Sequence, residues 1–227
     1  MDGRRLTLSD GIKAVSIARD AILASFENRP VDFPDELPIL FREERGLFVT
    51  LTMDGRLRGC IGFPYPVMSI EEALPKAAKA AAFDDPRFIP LSKADLGNVR
   101  IEVTVLTEPK LLDCDFRDYE KHIVIGKHGL IAVYPNARGL LLPQVATEYK
   151  VDAMEFLCMT AQKAGMPPMS WKYDARIYTF EGQIFSETEP KGKVIEQTYR
   201  EKKACAENDK NENKKNADEN PAGKTKK

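Results

Sequence analysis

The chain has 227 residues, 43% of them hydrophobic, and its 34 Lys and Arg nearly balance its 35 Asp and Glu for a formal net charge of −1. This length and apolar content suit one large domain or two small lobes with a buried core. The balanced charge excludes a general attraction to nucleic acid or an anionic membrane, so RNA binding would need a local basic site. The N-terminus lacks a secretory signal and no apolar run could span a bilayer, which predicts a cytoplasmic protein with no membrane association.

Cysteine and histidine spacing indicates no metal site. The four cysteines are far apart without a C-x-x-C pair, and His122 and His128 are six residues apart, which does not fit the i, i+4 spacing of a helical metal pair. Neither a G-x-G-x-x-G nor a P-loop sequence occurs. We therefore expect no metal and no nucleotide cofactor.

The first part of the chain predicts a helix followed by a hairpin. Apolar residues recur at helical spacing over 9–27, and Ser9 or Asp10 can cap the start of this helix. After a proline-rich loop, the run "GLFVTLTMDGRLRGCIG" is typical of two β-strands around Asp54-Gly55, a dipeptide that suits a tight turn.

A second helix and a strand complete this unit. Ser69 and Glu72 are spaced as a capping box for a helix that runs to Phe83. Pro75 conflicts with that start because proline removes a backbone hydrogen bond, so the helix either begins near Pro75 or kinks there. The run "VRIEVTVL" at 99–106 alternates as a half-buried strand, with Glu102 on its polar side and expected to be solvated.

The second half of the chain resembles the first. The run "HGLIAVYPNARGLLLPQV" aligns with the first hairpin at a fixed offset of 83 residues, which pairs Gly59 with Leu142 and Cys60 with Pro143. A helix starting at Asp152 and a strand at 175–185 follow in the same order. This order predicts a duplicated hairpin–helix–strand unit, around 46–107 and 129–185, and an α+β fold of antiparallel or mixed sheets with helices packed on one face.

The composition changes near residue 193. Almost no apolar residues follow Tyr199, so the last part of the chain cannot bury enough surface to offset the entropy of ordering it. We predict a disordered charged tail over 203–227, with Cys205 as an incidental exposed thiol.

The stretch "RLRGCIG" contains the candidate for chemistry, Cys60. Strict alternation places Leu57, Gly59 and Ile61 on the core face of the strand, and Arg58, Cys60 and Gly62 on the other. A guanidinium on the same face favours the thiolate form, and glycines let backbone N–H groups approach a substrate. The alternative is a small buried cysteine between glycines that allow close packing.

Several motifs together resemble the AMMECR1 family in its archaeal or bacterial form. They are "LRGCIG", "DPRFIPL", "IGKHGLIAVY", "GLLLPQVA" and "EFLCMTAQKAGMP" followed by Trp171, and the resemblance covers roughly 8–188, within a domain of 8–190. It implies a two-lobed α+β fold with the cysteine motif near a cleft. It implies no known reaction, but relatives beside or fused to Memo-like and radical-SAM proteins imply a shared modification pathway.

The resemblance also selects candidate site residues, each of which has a structural alternative. Asp85 can cap a turn and pair with Arg87, and Gln144 can satisfy buried backbone groups or orient a ligand. His128 lies where a turn is expected and becomes a candidate base only if folding brings it to Cys60. The predicted ligand-binding residues are Arg58, Gly59, Gly62, Asp85, Arg87 and Gln144.

Two hypotheses follow. In the first, the protein is a non-catalytic binding protein whose cleft recognises a small molecule or a macromolecule, with Memo-like and radical-SAM proteins as partners. In the second, it is a transferase or hydrolase with Cys60 as nucleophile and Arg58 as the anchor for an anionic group. The binding hypothesis is favoured because spacing alone identifies no acid or base partner for Cys60.

Overall fold

A computed structural model describes residues 5–197. The fold is α+β, as predicted, with helices packed against antiparallel sheets. The elements in chain order are α1 (Leu8–Glu27), β1 (Leu47–Met53), β2 (Arg56–Phe63), α2 (Ile70–Phe83), β3 (Val99–Leu106), β4 (Lys110–Leu111), α3 (Tyr119–His122), β5 (Gly129–Val133), β6 (Arg138–Leu141), α4 (Pro143–Tyr149), α5 (Ala153–Lys163), β7 (Arg176–Phe180), β8 (Gly182–Glu187) and β9 (Val194–Gln197).

The strands form two sheets. The first sheet has the order β2-β1-β3-β8-β9 and packs one face against α1 and α2, and the second has the order β4-β7-β5-β6 and packs against α5. Strand pairs in both sheets are antiparallel. In each sheet a hairpin is followed by a helix and then by the strand that pairs with the first strand of the hairpin.

Helix α1 begins one residue earlier than the sequence predicts. Its N-cap is Thr7, whose hydroxyl accepts from the backbone N–H of Asp10, while the Asp10 carboxylate accepts from the backbone N–H of Thr7. Ser9 and Asp10 therefore lie inside the helix, and the predicted cap was wrong because Asp10 is the reciprocal partner of a capping box. Ile17 and Ile22 are fully buried on its core face.

The first hairpin turns at Asp54-Gly55, as predicted. Both residues have positive φ, 52° and 71°, which is the backbone that a two-residue turn of this kind requires. Beyond the turn the register shifts, because Leu51 pairs with Gly59 whereas Thr52 pairs with Leu57. Arg58 is thus the extra residue of a β-bulge, and the strict alternation expected of this strand is broken there.

Helix α2 begins at Ile70, with the Ser69 hydroxyl accepting from the backbone N–H of Glu72. Pro75 lies inside the helix, which excludes a start near Pro75. Glu102 was expected to be solvated but is buried, with 5% of its surface exposed, because β3 is a central strand of its sheet. Trp171 is also buried, with 2% of its surface exposed.

Two glycines allow a strand to touch a helix backbone. A Cβ atom on Gly59 in β2 would collide with the carbonyl oxygen of Ala81 in α2, and one on Gly139 in β6 would collide with that of Thr160 in α5. In this respect Gly139 is the counterpart of Gly59, whereas the alignment by sequence pairs Gly59 with Leu142. The predicted duplication stays a prediction. A glycine that packs against a helix backbone nevertheless occurs in both hairpins, so close packing is a sufficient reason for Gly59.

One antiparallel ribbon runs from the first sheet into the second. Strands β3 and β8 pair in the first sheet, and their continuations β4 and β7 pair in the second. Between them, Thr107 and Glu181 exchange hydrogen bonds: the N–H of Thr107 donates to the Glu181 carbonyl at 2.8 Å, and the N–H of Glu181 donates to the Thr107 hydroxyl at 2.9 Å. Leu106, Ile131 and Phe180 form a small apolar cluster where the sheets meet.

The predicted tail, 203–227, lies outside the described residues. Within residues 5–197, no helix combines the length and the apolar character needed to cross a membrane.

The glycine contacts predict the effect of adding one methyl group. Gly59→Ala should lower the free energy of unfolding by about 2 to 4 kcal/mol, because neither the α2 backbone nor the strand can move freely. Chemical denaturation measures this change. Gly97→Ala is the matched control, since a Cβ atom there meets nothing within 4 Å, and it should be nearly neutral. Equal effects of the two substitutions would contradict the packing role of Gly59.

Candidate functional site

Cys60 lies on β2, the outermost strand of the first sheet. Its partner across the hairpin is Thr50, so both side chains lie on the face opposite α1 and α2. The Thr50 hydroxyl oxygen is 3.3 Å from the Cys60 sulfur, and the cysteine is half-buried. The sulfur therefore has a polar neighbour and is not enclosed among aliphatic groups.

The loop after α2 supplies hydrogen-bond partners for the backbone N–H and carbonyl of Cys60 at the outer edge of β2. The Cys60 N–H donates to the Asp85 carboxylate at 2.9 Å, and Arg87 Nη2 donates to the Cys60 carbonyl at 3.3 Å. An acceptor and a donor from one loop thus take the positions that a neighbouring strand would fill. This contact closes a part of the edge that would otherwise be open to pairing with another chain.

Asp85 and Arg87 form a tight ion pair, which was the structural alternative considered for them. Arg87 Nε and Nη2 donate to the two Asp85 oxygens at 2.9 and 2.7 Å, and the Arg87 backbone N–H donates as well, at 3.1 Å. The carboxylate is almost fully buried, while the arginine side chain is 54% exposed. These hydrogen bonds, chiefly those from the Arg87 side chain, hold the pKa of Asp85 far below its usual range and raise the pKa of Arg87.

Arg58 does not share a pocket with Cys60 in the way that alternation predicts. As the bulge residue, it has no partner on β1, and its Nη2 donates to the Pro90 carbonyl at 3.3 Å. The same bulge moves Leu57 off the core face of the sheet, and 43% of the Leu57 surface is exposed. The guanidinium that reaches Cys60 belongs to Arg87, and the predicted face assignment was wrong because one residue was inserted into the strand.

Gly59 and Gly62 both lie where backbone approaches backbone. A Cβ atom on Gly59 would collide with α2, and one on Gly62 would collide with the Leu47 carbonyl oxygen on the adjacent strand. Close packing thus accounts for both glycines. Their role as backbone donors to a ligand stays a prediction.

The structure does not bring His128 to Cys60. His128 lies in the turn before β5, where its Nδ1 accepts from the Val124 N–H at 3.1 Å and its Nε2 is 4.0 Å from Glu181 Oε1. Glu181 adjoins β8, three strand spacings from β2, or roughly 14 Å. Because Nδ1 accepts a hydrogen bond, the proton of the neutral ring lies on Nε2, and burial lowers the pKa of this histidine.

Gln144 occupies the start of the short helix α4. Its side-chain oxygen, Oε1, is buried and accepts no hydrogen bond from the residues the structure describes. The structural alternative for Gln144, that it satisfies buried backbone donors, is thus not met by this oxygen. An unpaired buried acceptor is costly, so Gln144 stays a candidate for orienting a ligand.

A cleft of about 750 Å³ lies between the two sheets. We call it the inter-sheet cleft. We call its buried and half-buried apolar residues, Leu106, Ile131, Tyr178 and Phe180, the floor, and its charged residues, Glu43, Glu44, Arg45 and Glu108, the rim. The other lining residues are Gly46, Pro64, Pro66, Thr107 and Pro109. Cys60 is absent from this lining, but the strand that carries it ends at Phe63, one residue before Pro64.

The residues of this cleft were not identified from the sequence. They come from segments that are far apart in the chain, and neither half of the chain alone contains the cavity. The proline cluster after β2 was its only local signal. Within the described part of the chain, no group of three or more His, Cys, Asp or Glu is arranged to hold a metal ion.

Comparison with known proteins gives consistent matches. The AMMECR1 family model matches residues 15–185. A protein of Methanosarcina acetivorans is 45% identical over 198 residues, covering 86% of this chain and all of that one, and one of Methanocella arvoryzae is 48% identical over 194 residues, covering 84% and 98%. The crystal structure of uncharacterized protein PH0010 from Pyrococcus horikoshii has a TM-score of 0.70 at 38% identity, covering 84% of this chain and 97% of that one.

Asp85 should contribute strongly to stability. Asp85→Asn removes a buried charged acceptor from Cys60 and Arg87, so it should lower the free energy of unfolding by about 2 kcal/mol at neutral pH. Because folding lowers the pKa of Asp85, its contribution is complete above about pH 4 and is lost as the pH falls toward the lowered pKa. Urea denaturation of the unchanged protein and of Asp85→Asn across this pH range should show that the difference between their free energies of unfolding becomes smaller in acid.

The control is Asp115→Asn. Asp115 makes the same set of hydrogen bonds with Arg117, two residues later, but both side chains are exposed and neither is bonded to a strand edge. We expect a clearly smaller effect at every pH. If Asp115→Asn lowered the free energy of unfolding as much as Asp85→Asn, the hydrogen bonds from the Asp85 and Arg87 loop to β2 would add nothing to stability.

Proposed function

The chain belongs to the AMMECR1 family, and on that premise we propose that it is a ligand-binding protein whose inter-sheet cleft receives a small molecule. The observation that carries this proposal is the cavity of about 750 Å³ with an apolar floor and a charged rim. Its volume lies in the range of small-molecule sites, and such sites combine apolar walls with a few polar groups.

The position of the cleft supports the same conclusion. Most of its floor lies where the β3-β4 and β7-β8 ribbon passes from one sheet to the other. Its rim comes from the segment before β1, with Glu43, Glu44 and Arg45, and from Glu108 between β3 and β4. Phe180 and Leu106 are nearly fully buried, while Tyr178 is half-buried. Of the four floor residues, Tyr178 therefore has the largest exposed fraction and is the first that a ligand in the cleft would contact.

Cellular setting and partners are part of the proposal. We propose that the protein acts in the cytoplasm, where thiols stay reduced, and the free Cys60, Cys114 and Cys158 support this. The family resemblance supports a modification pathway with Memo-like and radical-SAM partners. RNA recognition has no support from the net charge.

Cys60-dependent catalysis is the second candidate function. It is favoured by a half-buried thiol that lies beside the Thr50 hydroxyl, on a residue whose backbone carbonyl accepts from the Arg87 guanidinium. Two features weaken it. His128 belongs to another sheet, and Arg58, the proposed anion anchor, is bonded to Pro90. No described residue therefore fills the role of a base within hydrogen-bond reach of the sulfur.

Binding in the cleft is testable with a neutral probe. In protein with labelled Ile and Leu methyl groups, 2-phenylethanol should shift the NMR signals of Ile131 and Leu106, which line the floor, but not those of Ile17 and Ile22 in the distant core. Tyr178→Ala should weaken this binding roughly fivefold by removing aromatic contact. The matched control is Tyr173→Ala, because Tyr173 is 80% exposed and does not line the cleft. Shifts spread over the whole protein would contradict the proposal.

Alkylation rates separate the two candidate functions. With iodoacetamide at neutral pH, Cys114 is exposed and should react first, while Cys60 should react roughly fivefold or more slowly, since it is half-buried and bonded to Thr50. Mass spectrometry of peptides measures both rates in one sample. A Cys60 that reacted faster than Cys114 would be an activated thiolate and would favour the enzyme.

A further inference from the structure

We propose that the inter-sheet cleft selects a small organic cation, an ammonium or guanidinium attached to an apolar or aromatic body. This inference rests on the proposed function and adds the chemical class of the ligand. It is drawn from the charges at the rim of the cleft and the rings on its floor.

The rim of the cleft is acidic. Glu43, Glu44 and Glu108 line it against a single guanidinium, that of Arg45, for a formal charge of −2. Arg45 is 8% exposed and donates to the Glu43 carboxylate from Nη2 at 2.6 Å and from Nε at 3.2 Å. Its charge is therefore already matched inside the protein, and it is not positioned to receive an anionic ligand.

A smaller cavity of about 180 Å³ shares Thr107, Glu108 and Phe180 with the cleft and carries cationic side chains. Arg5, which lines it, is bonded to Glu181 at 3.1 Å and to Glu196 at 3.4 Å. The charge of Arg5 is therefore matched by these two carboxylates, and Arg5 does not line the cleft. The cleft itself keeps its acidic character.

The floor complements that charge. Tyr178, the half-buried aromatic residue of the floor, contributes a ring whose face attracts cations when water is partly excluded, whereas Phe180 is only 2% exposed. A concave site lined by one sign of charge also concentrates counter-ions of the other sign. A cation with an apolar body would be attracted by the carboxylates of the rim and would also cover the apolar surface of the floor. A carboxylate or phosphate would be repelled by the rim, and a neutral molecule would use only the floor.

The test compares probes that share one phenyl body: 2-phenylethylammonium, 2-phenylethanol and 3-phenylpropionate. Binding to the full chain is followed by the methyl signals of Ile131 and Leu106. We expect the cation to bind about tenfold more tightly than the alcohol, with the anion weakest, and to lose part of this advantage as salt is added.

Variants locate the source of the preference. The double substitution Glu44→Gln and Glu108→Gln should reduce the advantage of the cation over the alcohol to about twofold, because only the Glu43 and Arg45 pair remains at the rim. Glu148→Gln is the matched control, since Glu148 is exposed on α4 and does not line the cleft. It should leave the ratio unchanged.

The outcomes separate the two proposals. If the alcohol or the anion binds as tightly as the cation and shifts the same methyl groups, the cation inference is overturned and the ligand-binding function stands. If no probe shifts Ile131 or Leu106, both are overturned. An equal loss of preference in Glu148→Gln would show that the overall charge of the protein, not the rim, attracts the cation, and would also overturn the inference.

Discussion

The architecture depends on one joint, where Thr107 and Glu181 exchange hydrogen bonds between two strands that each continue from one sheet into the other. Because this ribbon is continuous, the two sheets cannot separate without breaking strand pairing on both sides of the joint. The Glu181 side chain reinforces it by pairing with Arg5 at 3.1 Å and with Lys127 at 3.3 Å. The inter-sheet cleft lies against this joint, since Thr107 lines it, and the floor residues Leu106 and Phe180 are paired in the first and the second sheet.

A second constraint fixes the strand that carries Cys60. Strand β2 is at the edge of its sheet, and Gly59 brings it against the backbone of α2. The bulge at Arg58 turns the next residues so that Gly59 faces the helix and Cys60 faces Thr50. The Asp85 and Arg87 pair then closes the free edge. Helix contact, bulge and loop thus act together on three consecutive residues, and this explains the conformation of the cysteine motif without a ligand.

Local chemistry determined which parts of this arrangement could be predicted. The Asp54-Gly55 turn and the Asp85 and Arg87 pair involve residues adjacent or nearly adjacent in sequence, and both were anticipated. The faces of Arg58 and Leu57 were not, because the β-bulge at Arg58 interrupts the alternation of the strand. If the residue pairs of the hairpin are counted outward from the turn without a bulge, Thr50 falls opposite Gly59. The sequence pattern therefore does not predict the contact between Thr50 and Cys60. His128 was proposed from the family resemblance, which gives no distance to Cys60, and its separation from Cys60 follows from the sheet order.

The same reasoning explains why binding is assigned to the cleft and not to the cysteine. Around Cys60 the strong hydrogen-bonding groups are used internally, since its N–H, its carbonyl and the buried Asp85 carboxylate all have partners. A ligand that approached there would have to break bonds that hold the edge of the sheet. In the cleft, by contrast, aromatic and aliphatic floor residues face a cavity large enough for an organic molecule, beneath acidic side chains. Apolar surface that the fold leaves accessible gains free energy when a ligand covers it, whereas satisfied polar groups gain little.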